Sequence, residues 1–141
     1  MLLMLPAAAA TMQRMAKSFH VGVKALIVRK ERILLLRSQS FWDLPGGRIE
    51  GAESPLETLE RELNEELPGI RDIEIGALLG WQRARQYRHK DHALLLVAFR
   101  VDAHVPDPIR LSVEHDHAEW VQIACAREIL EHVAIDWSRI D

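Results

Sequence analysis

The strongest constraint on this chain lies in one short stretch, residues 41–70. FWDLPGGRIEGAES, 41–54, carries Pro45, Gly46, Gly47 and Gly51, so it is predicted to be a loop. Ser54 is a good N-cap and Pro55 a good first helical residue, because proline's missing N–H costs nothing there. Leu56, Leu59, Leu63 and Leu67 then recur at helical spacing. Pro68 and Gly69 stop the helix. A loop and a helix punctuated this firmly must be accommodated by whatever surrounds them.

What surrounds them reads as strand. FHVGVKALIVRK, 19–30, is rich in β-branched residues, and Lys30, Glu31 and Arg32 make a polar turn before the apolar run 33–38. In 73–83, Ile73, Ile75, Ala77, Leu79 and Trp81 alternate and should share one face. Residues 83–92 form a polar connection, and 92–101 is a nearly continuous apolar strand. Residues 102–108 read as a loop, 119–123 as a last short strand, and 124–133 as a helix carrying Ile129, Leu130 and Val133. Mixed strands with two helices give an α/β or α+β domain.

A chain of 141 residues has room for one domain and should bury roughly 68–70% of its unfolded surface without a structural staple. One cysteine, Cys125, excludes an internal disulfide and a four-cysteine zinc site, and it is read as structural. The net charge of −3 and pI near 6.2 disfavour extended nucleic-acid binding. No stretch reaches the roughly 18 apolar residues of a membrane span. The N-terminal MLLMLPAAAATM is broken by Pro6 and has no basic residue before its apolar run, so a signal peptide is disfavoured. Residues 1–18 are expected to be a poorly ordered leader, with a truer start at Met12 or Met15, and 19–141 a single cytoplasmic domain, monomeric or homodimeric.

Within the helix, Glu62, Glu65 and Glu66 stand at i, i+3 and i+4 and project from one face, opposite the leucines. Such clusters are usually solvated acidic faces, and Arg61 can relieve the repulsion through Glu57 or Glu65. Oxygen donors at this density also suit Mg²⁺ or Mn²⁺. The wider pattern is Gly47, five residues, Glu53, seven residues, then Arg61-Glu62-Leu63-x-Glu65-Glu66. It resembles the Nudix box, G-x5-E-x7-R-E-U-x-E-E-x-G-U. Six such identities arise by chance at roughly 10⁻⁷ per window of average composition. Trp42-Asp43-Leu44-Pro45-Gly46-Gly47 is similar to the entry to that box. One departure follows Glu66, where Leu67-Pro68-Gly69-Ile70 reads as though one residue were inserted; it alters the loop and leaves the carboxylates in place.

The resemblance implies an α/β/α sandwich around a mixed sheet, with the box as loop-helix-loop. It implies metal-dependent hydrolysis of a nucleoside diphosphate derivative, with Mg²⁺ or Mn²⁺ as cofactor. By carry-over, Glu62, Glu65 and Glu66 hold the ions, Gly47 contributes backbone, and Glu53 pairs with Arg61 to orient the helix. A metal so held neutralises the diphosphate and activates water for attack at phosphorus. A further ligand or base is sought outside the box: Glu114 stands first, ahead of His115, Asp116 and His117.

Arg83, Arg85, Arg88, His89 and Lys90 form a basic cluster that either grips phosphates or caps a solvated hairpin. Trp42 and Trp81 either stack on a base or belong to the core. Tyr87 falls near a tyrosine that dinucleoside-polyphosphate hydrolases of the family often carry, whereas the proline typical of its ADP-ribose hydrolases is absent from 84–86. Nucleoside triphosphates or dinucleoside polyphosphates therefore rank first, ADP-ribose or nucleotide sugars second. A non-catalytic nucleotide-binding module is the alternative; it would be expected to have lost box carboxylates, and none is lost.

Overall fold

The computed structural model describes residues 18–85, 87 and 91–140. In chain order its elements are β1 (Ser18–Arg29), β2 (Arg32–Ser38), β3 (Phe41–Asp43), β4 (Gly46–Arg48), α1 (Pro55–Glu66), β5 (Arg71–Arg83), β6 (His92–His104), β7 (His117–Gln122), α2 (Ile123–Ile129) and a 3₁₀ turn at Trp137–Arg139. The expected leader lies outside the described residues except for Ser18, which opens β1.

The strand order is β3-β2-β1-β6-β5, with β4 on β1 and β7 on β2. β1 runs parallel to β6 from Ser18↔His92 to Ile27↔Val101. Its other edge is shared: β4 takes residues 22–24 and β2 takes 28 and 29, both antiparallel. Between those partners the edge is open, and Ala25 N–H donates instead to Pro45 O at 2.8 Å. Lys24 and Gly46 form the pair that borders this gap.

Side-chain parity explains why β1 and β2 are apolar without alternation. Val23, Ala25, Ile27, Leu34 and Leu36 face α1 with Leu59, Leu63 and Leu67, whereas Leu26, Ile33 and Leu35 face α2 with Ala126 and Leu130. Both faces of the sheet are covered, so both sets of alternate side chains must be apolar. This is the α/β/α sandwich around a mixed sheet that the sequence implied.

Several local expectations are corrected. The 41–54 loop contains the short strands β3 and β4. Leu56 is 48% exposed, so the buried stripe of α1 begins at Leu59. β6 continues to His104, β7 begins at His117, and α2 covers only 123–129. β5 does not keep its five alternating residues on one face. Register shifts between Arg71 and Gly80 each move the following side chains across the sheet. Ile73 and Ile75 pack towards α1, Leu79 packs towards α2, and Trp81 is 65% exposed. Cys125 is exposed, not part of the core.

Candidate active site

α1 begins as its sequence dictates. Ser54 Oγ accepts from Glu57 N–H at 3.1 Å, and Pro55 opens the first turn. At the other end Leu67 N–H donates to Leu63 O at 3.0 Å, and Gly69 takes a φ of 90°, a left-handed conformation that glycine enters without strain.

Arg61 organises the exposed side of the helix. Its Nε donates to Glu53 Oε2 at 2.7 Å and Nη2 to Glu53 Oε1 at 3.0 Å. Nη1 donates to Glu62 Oε1 at 2.9 Å and reaches Glu65 Oε2 at 3.4 Å. Glu53 Oε1 also accepts from Glu50 N–H at 3.0 Å and Thr58 Oγ1 at 3.2 Å. The Arg61 hydrogen bonds hold the Glu53 carboxyl at about 2, against the cost of desolvation. The same partners raise the Arg61 pKa, so the guanidinium is a fixed cation. The expected Glu53–Arg61 and Glu65–Arg61 pairs are thus present, and Nη2 also fixes the helix to Arg48 O at 3.3 Å.

The three box carboxylates are not equivalent. Side-chain exposure is 13% for Glu62, 59% for Glu65 and 5% for Glu66. The clean division between an acidic and a leucine face therefore fails at Glu66, which is buried alongside Leu59 and Leu63. Gly46 N–H donates to Glu66 Oε1 at 2.7 Å, and His115 Nε2 lies 3.1 Å from Oε2. Burial pushes the Glu66 carboxyl up to about 8, outweighing the Gly46 N–H and the Lys24 charge, while Glu62 and Glu114 push the same way. Glu62 is also raised, chiefly by burial, with Arg61 opposing. Burial lowers the pKa of His115, so its ring favours the neutral form.

A loop brings in the residues from outside the box. Ser112 N–H donates to Glu66 O at 3.2 Å, at the end of α1. Asp116 N–H donates to Arg37 O at 3.0 Å, and Arg37 Nε donates to Asp116 Oδ1 at 2.9 Å. Between these anchors, Glu114 and His115 reach Glu66, and one ligand atom from each of the three lies within 4.8 Å of the others. Asp116 is committed to Arg37, and the His117 ring sits edge-on to Trp42 at 5.6 Å. Of the loop residues weighed from sequence, Glu114 and His115 are the ones placed beside Glu66.

A cleft of about 620 Å³ opens where Lys24, Phe41, Asp43, Leu94, Leu96, Ile129 and His132 meet, with Arg85 and Tyr87 on its wall. Asp43 is the polar hub. Lys24 Nζ lies 2.8 Å from Oδ2, and Oδ1 accepts from Leu44 N–H at 2.8 Å and from His132 Nε2 at 2.9 Å. Burial opposes ionisation of Asp43, but the His132 hydrogen bond and the Lys24 charge prevail and lower its pKa. Arg83 and Arg85 line an adjoining depression with Trp81 and Tyr87, and the Arg83 guanidinium lies 5.5 Å from the Phe19 ring. Tyr87 Oη accepts from Arg48 Nη1 at 2.9 Å and bonds His20 Nδ1 at 2.8 Å. Trp42 is half-buried against the α2-side core and does not line the cleft. Arg88, His89 and Lys90 lie outside the described residues.

Sequence reasoning missed Lys24, Phe41, Asp43, Thr58 and His132. Lys24 left a signal, being the one charge inside the apolar run 21–28.

The family model for the NUDIX domain matches residues 18–139. A curated relative, an octanoyltransferase from Myxococcus xanthus, is 34% identical over 105 residues, covering 70% of this chain. The match takes in 29% of that protein, so the chain spans less than a third of its length. The solution structure of the E. coli ORF135 protein superposes with a TM-score of 0.66 at 27% identity, covering 88% of this chain and 83% of that one. A MutT protein from Methanosarcina mazei Go1 gives 0.66 at 25% identity, covering 83% and 86%. With a family model spanning β1 through the 3₁₀ turn and a shared fold, the chain belongs to the Nudix family.

Proposed function

We propose that this Nudix pyrophosphohydrolase cleaves the diphosphate linkage of a nucleoside diphosphate derivative, using Mg²⁺ or Mn²⁺ held by Glu62, Glu65 and Glu66. The observation that carries the reading is the convergence of Glu66, Glu114 and His115 beside Gly46. The donor set fits a hard divalent ion, being rich in carboxylate oxygen. His115 Nδ1 is buried without a hydrogen-bond partner among the described residues, so this corner of the site has unspent polar capacity. A bound ion would neutralise the phosphates and lower the pKa of the attacking water.

The chain's own groups divide the remaining work. Arg61 fixes Glu62 and Glu65, and with Glu53 it fixes the angle of α1. Gly46 N–H orients Glu66. Glu114, exposed and unencumbered by an ion pair among the described residues, is the candidate base. A Glu114→Gln enzyme should lose about 10²–10⁴ in rate, the range for a positioned general base. Retention of rate within a few fold would pass the role to Glu53 or a box carboxylate.

The cleft takes the nucleoside in this reading. Arg83 and Arg85, beside Tyr87, favour a chain of three or more phosphates, so nucleoside triphosphates or dinucleoside polyphosphates rank above ADP-ribose or nucleotide sugars. Arg85→Ala should raise KM for a triphosphate more than for a diphosphate sugar; small, equal effects would remove the support for this ranking. The substrate is a small molecule met in the cytoplasm by a monomer or homodimer. No helix among the described residues is long and apolar enough to cross a membrane. The test of the whole reading is turnover of a panel of nucleoside triphosphates, dinucleoside polyphosphates, ADP-ribose and nucleotide sugars, with Mg²⁺ and with EDTA. Turnover undiminished by EDTA would reject the metal. Binding without turnover of any member would favour a sensing module.

A further inference from the structure

Resting on the reading of the cleft as the nucleoside site, we infer that Lys24 is a substrate-contacting specificity residue, receiving an oxygen of the phosphate carried by the ribose. The parity of β1 sends Val23 and Ala25 towards α1, so Lys24 points the other way, onto the floor of the cleft. Its neighbours there include Leu94 and Leu96, and its side chain is 14% exposed. A lysine on an apolar floor must be compensated, and Asp43 does this at 2.8 Å. Asp43 is itself immobilised by Leu44 N–H and His132. The ammonium is therefore held in place before any ligand arrives.

Its donors are not exhausted. An ammonium has three N–H groups. One serves Asp43, and a second makes a long contact with Leu44 O at 3.5 Å. The third is available to a ligand in the cleft. Position decides what that ligand atom is. Lys24 pairs in register with Gly46, whose N–H holds Glu66, and its charge is felt at both Glu66 and His115. It thus stands at the junction of the nucleoside cleft and the carboxylate cluster. The group that must occupy that junction in any nucleotide is the phosphate on the ribose. A compact ammonium is well matched to a phosphate oxygen.

The test compares binding of nucleoside monophosphates with binding of the matching nucleoside. Titrations with AMP, GMP, CMP and UMP in Mg²⁺ identify the ligand that wild type prefers; its nucleoside is then titrated alongside. Lys24→Gln retains a donor towards Asp43, and Lys24→Met retains length without one, so folding can be secured in at least one variant and checked by circular dichroism. The expected result is a roughly tenfold or greater loss of monophosphate affinity with nucleoside affinity unchanged. The unchanged nucleoside arm shows that the cleft is intact. Equal affinities for wild type and variants would overturn the inference and leave the cleft standing. Equal loss in both arms would also overturn it, because Lys24 would then serve the base or the cleft wall. If wild type binds none of the four monophosphates, the nucleotide reading itself fails.

Discussion

Glu66→Gln is expected to lower kcat by more than the roughly 10–100-fold that loss of a ligand's supporting residue costs, while leaving the fold intact. The substitution keeps shape and can still accept the Gly46 N–H, which now meets an amide oxygen. It removes the one box carboxylate that is 5% exposed and within reach of both Glu114 and His115. If the divalent ion sits where these three converge, the variant loses a charged ligand and a pKa-raised carboxyl together. Full turnover by Glu66→Gln would dismiss the proposed site.

The same residue gives a pH signature in the metal-free protein. Its folded pKa, about 8, lies above the ordinary 4.5, so the folded state keeps a proton that the unfolded state has released. In that window the folded state binds more protons, and stability falls as pH rises from about 4.5 to 8. The upper limit of the effect is about 5 kcal/mol. Opposing it, His115 is lowered and so adds stability as pH rises towards 6.5. Glu53, held at about 2, contributes stability above 4.5 that is lost as pH falls towards 2. The measurement is Tm against pH in EDTA for wild type and Glu66→Gln. Wild type should lose several degrees between pH 6.5 and 8, and the variant should not. Parallel curves would mean that Glu66 does not keep that proton in the folded state.

Much of the arrangement was legible in residue order because it depends on local rules. Ser54-Pro55 and Pro68-Gly69 delimit α1, and the continuous apolar runs of β1 and β2 announce strands covered on both faces. The Glu53–Arg61 pair was legible through the resemblance to the Nudix box, and the Arg61–Glu65 pair as four-residue spacing. Three kinds of feature were not. The bulges of β5 are set by pairing with β6, so alternation in the sequence put Ile75 and Leu79 on a face they do not share. The burial of Glu66 depends on how α1 tilts against β4, which no helical wheel contains. The Lys24–Asp43–His132 cluster joins residues far apart in sequence and exists only once α2 has packed. A charge within an apolar run marked Lys24, but only topology says what it faces.

Two adjacent glycines should separate folding from activity. At Gly46 the backbone φ is 147°, and an added Cβ would overlap the carbonyl oxygen of Val23. Both obstacles are backbone: the first is a conformation that L side chains rarely adopt, the second an atom in the central strand. Gly46→Ala must therefore push β4 from β1, lose the N–H that orients Glu66, and cost roughly 3–5 kcal/mol in urea unfolding. At Gly47 the obstacle differs. An added Cβ would overlap the carboxylate of Glu62, the far end of a side chain that can rotate away. Gly47→Ala should then cost no more than about 1 kcal/mol in stability, while displacing Glu62 from its 2.9 Å contact with Arg61 and from any ion it shares with Glu66. Its kcat should fall at least tenfold with the urea midpoint nearly unchanged. If Gly47→Ala instead unfolds as readily as Gly46→Ala, the second glycine serves the turn, and Glu62 is not what requires it. If Gly47→Ala keeps full activity, Glu62 can be moved without consequence and is not a ligand.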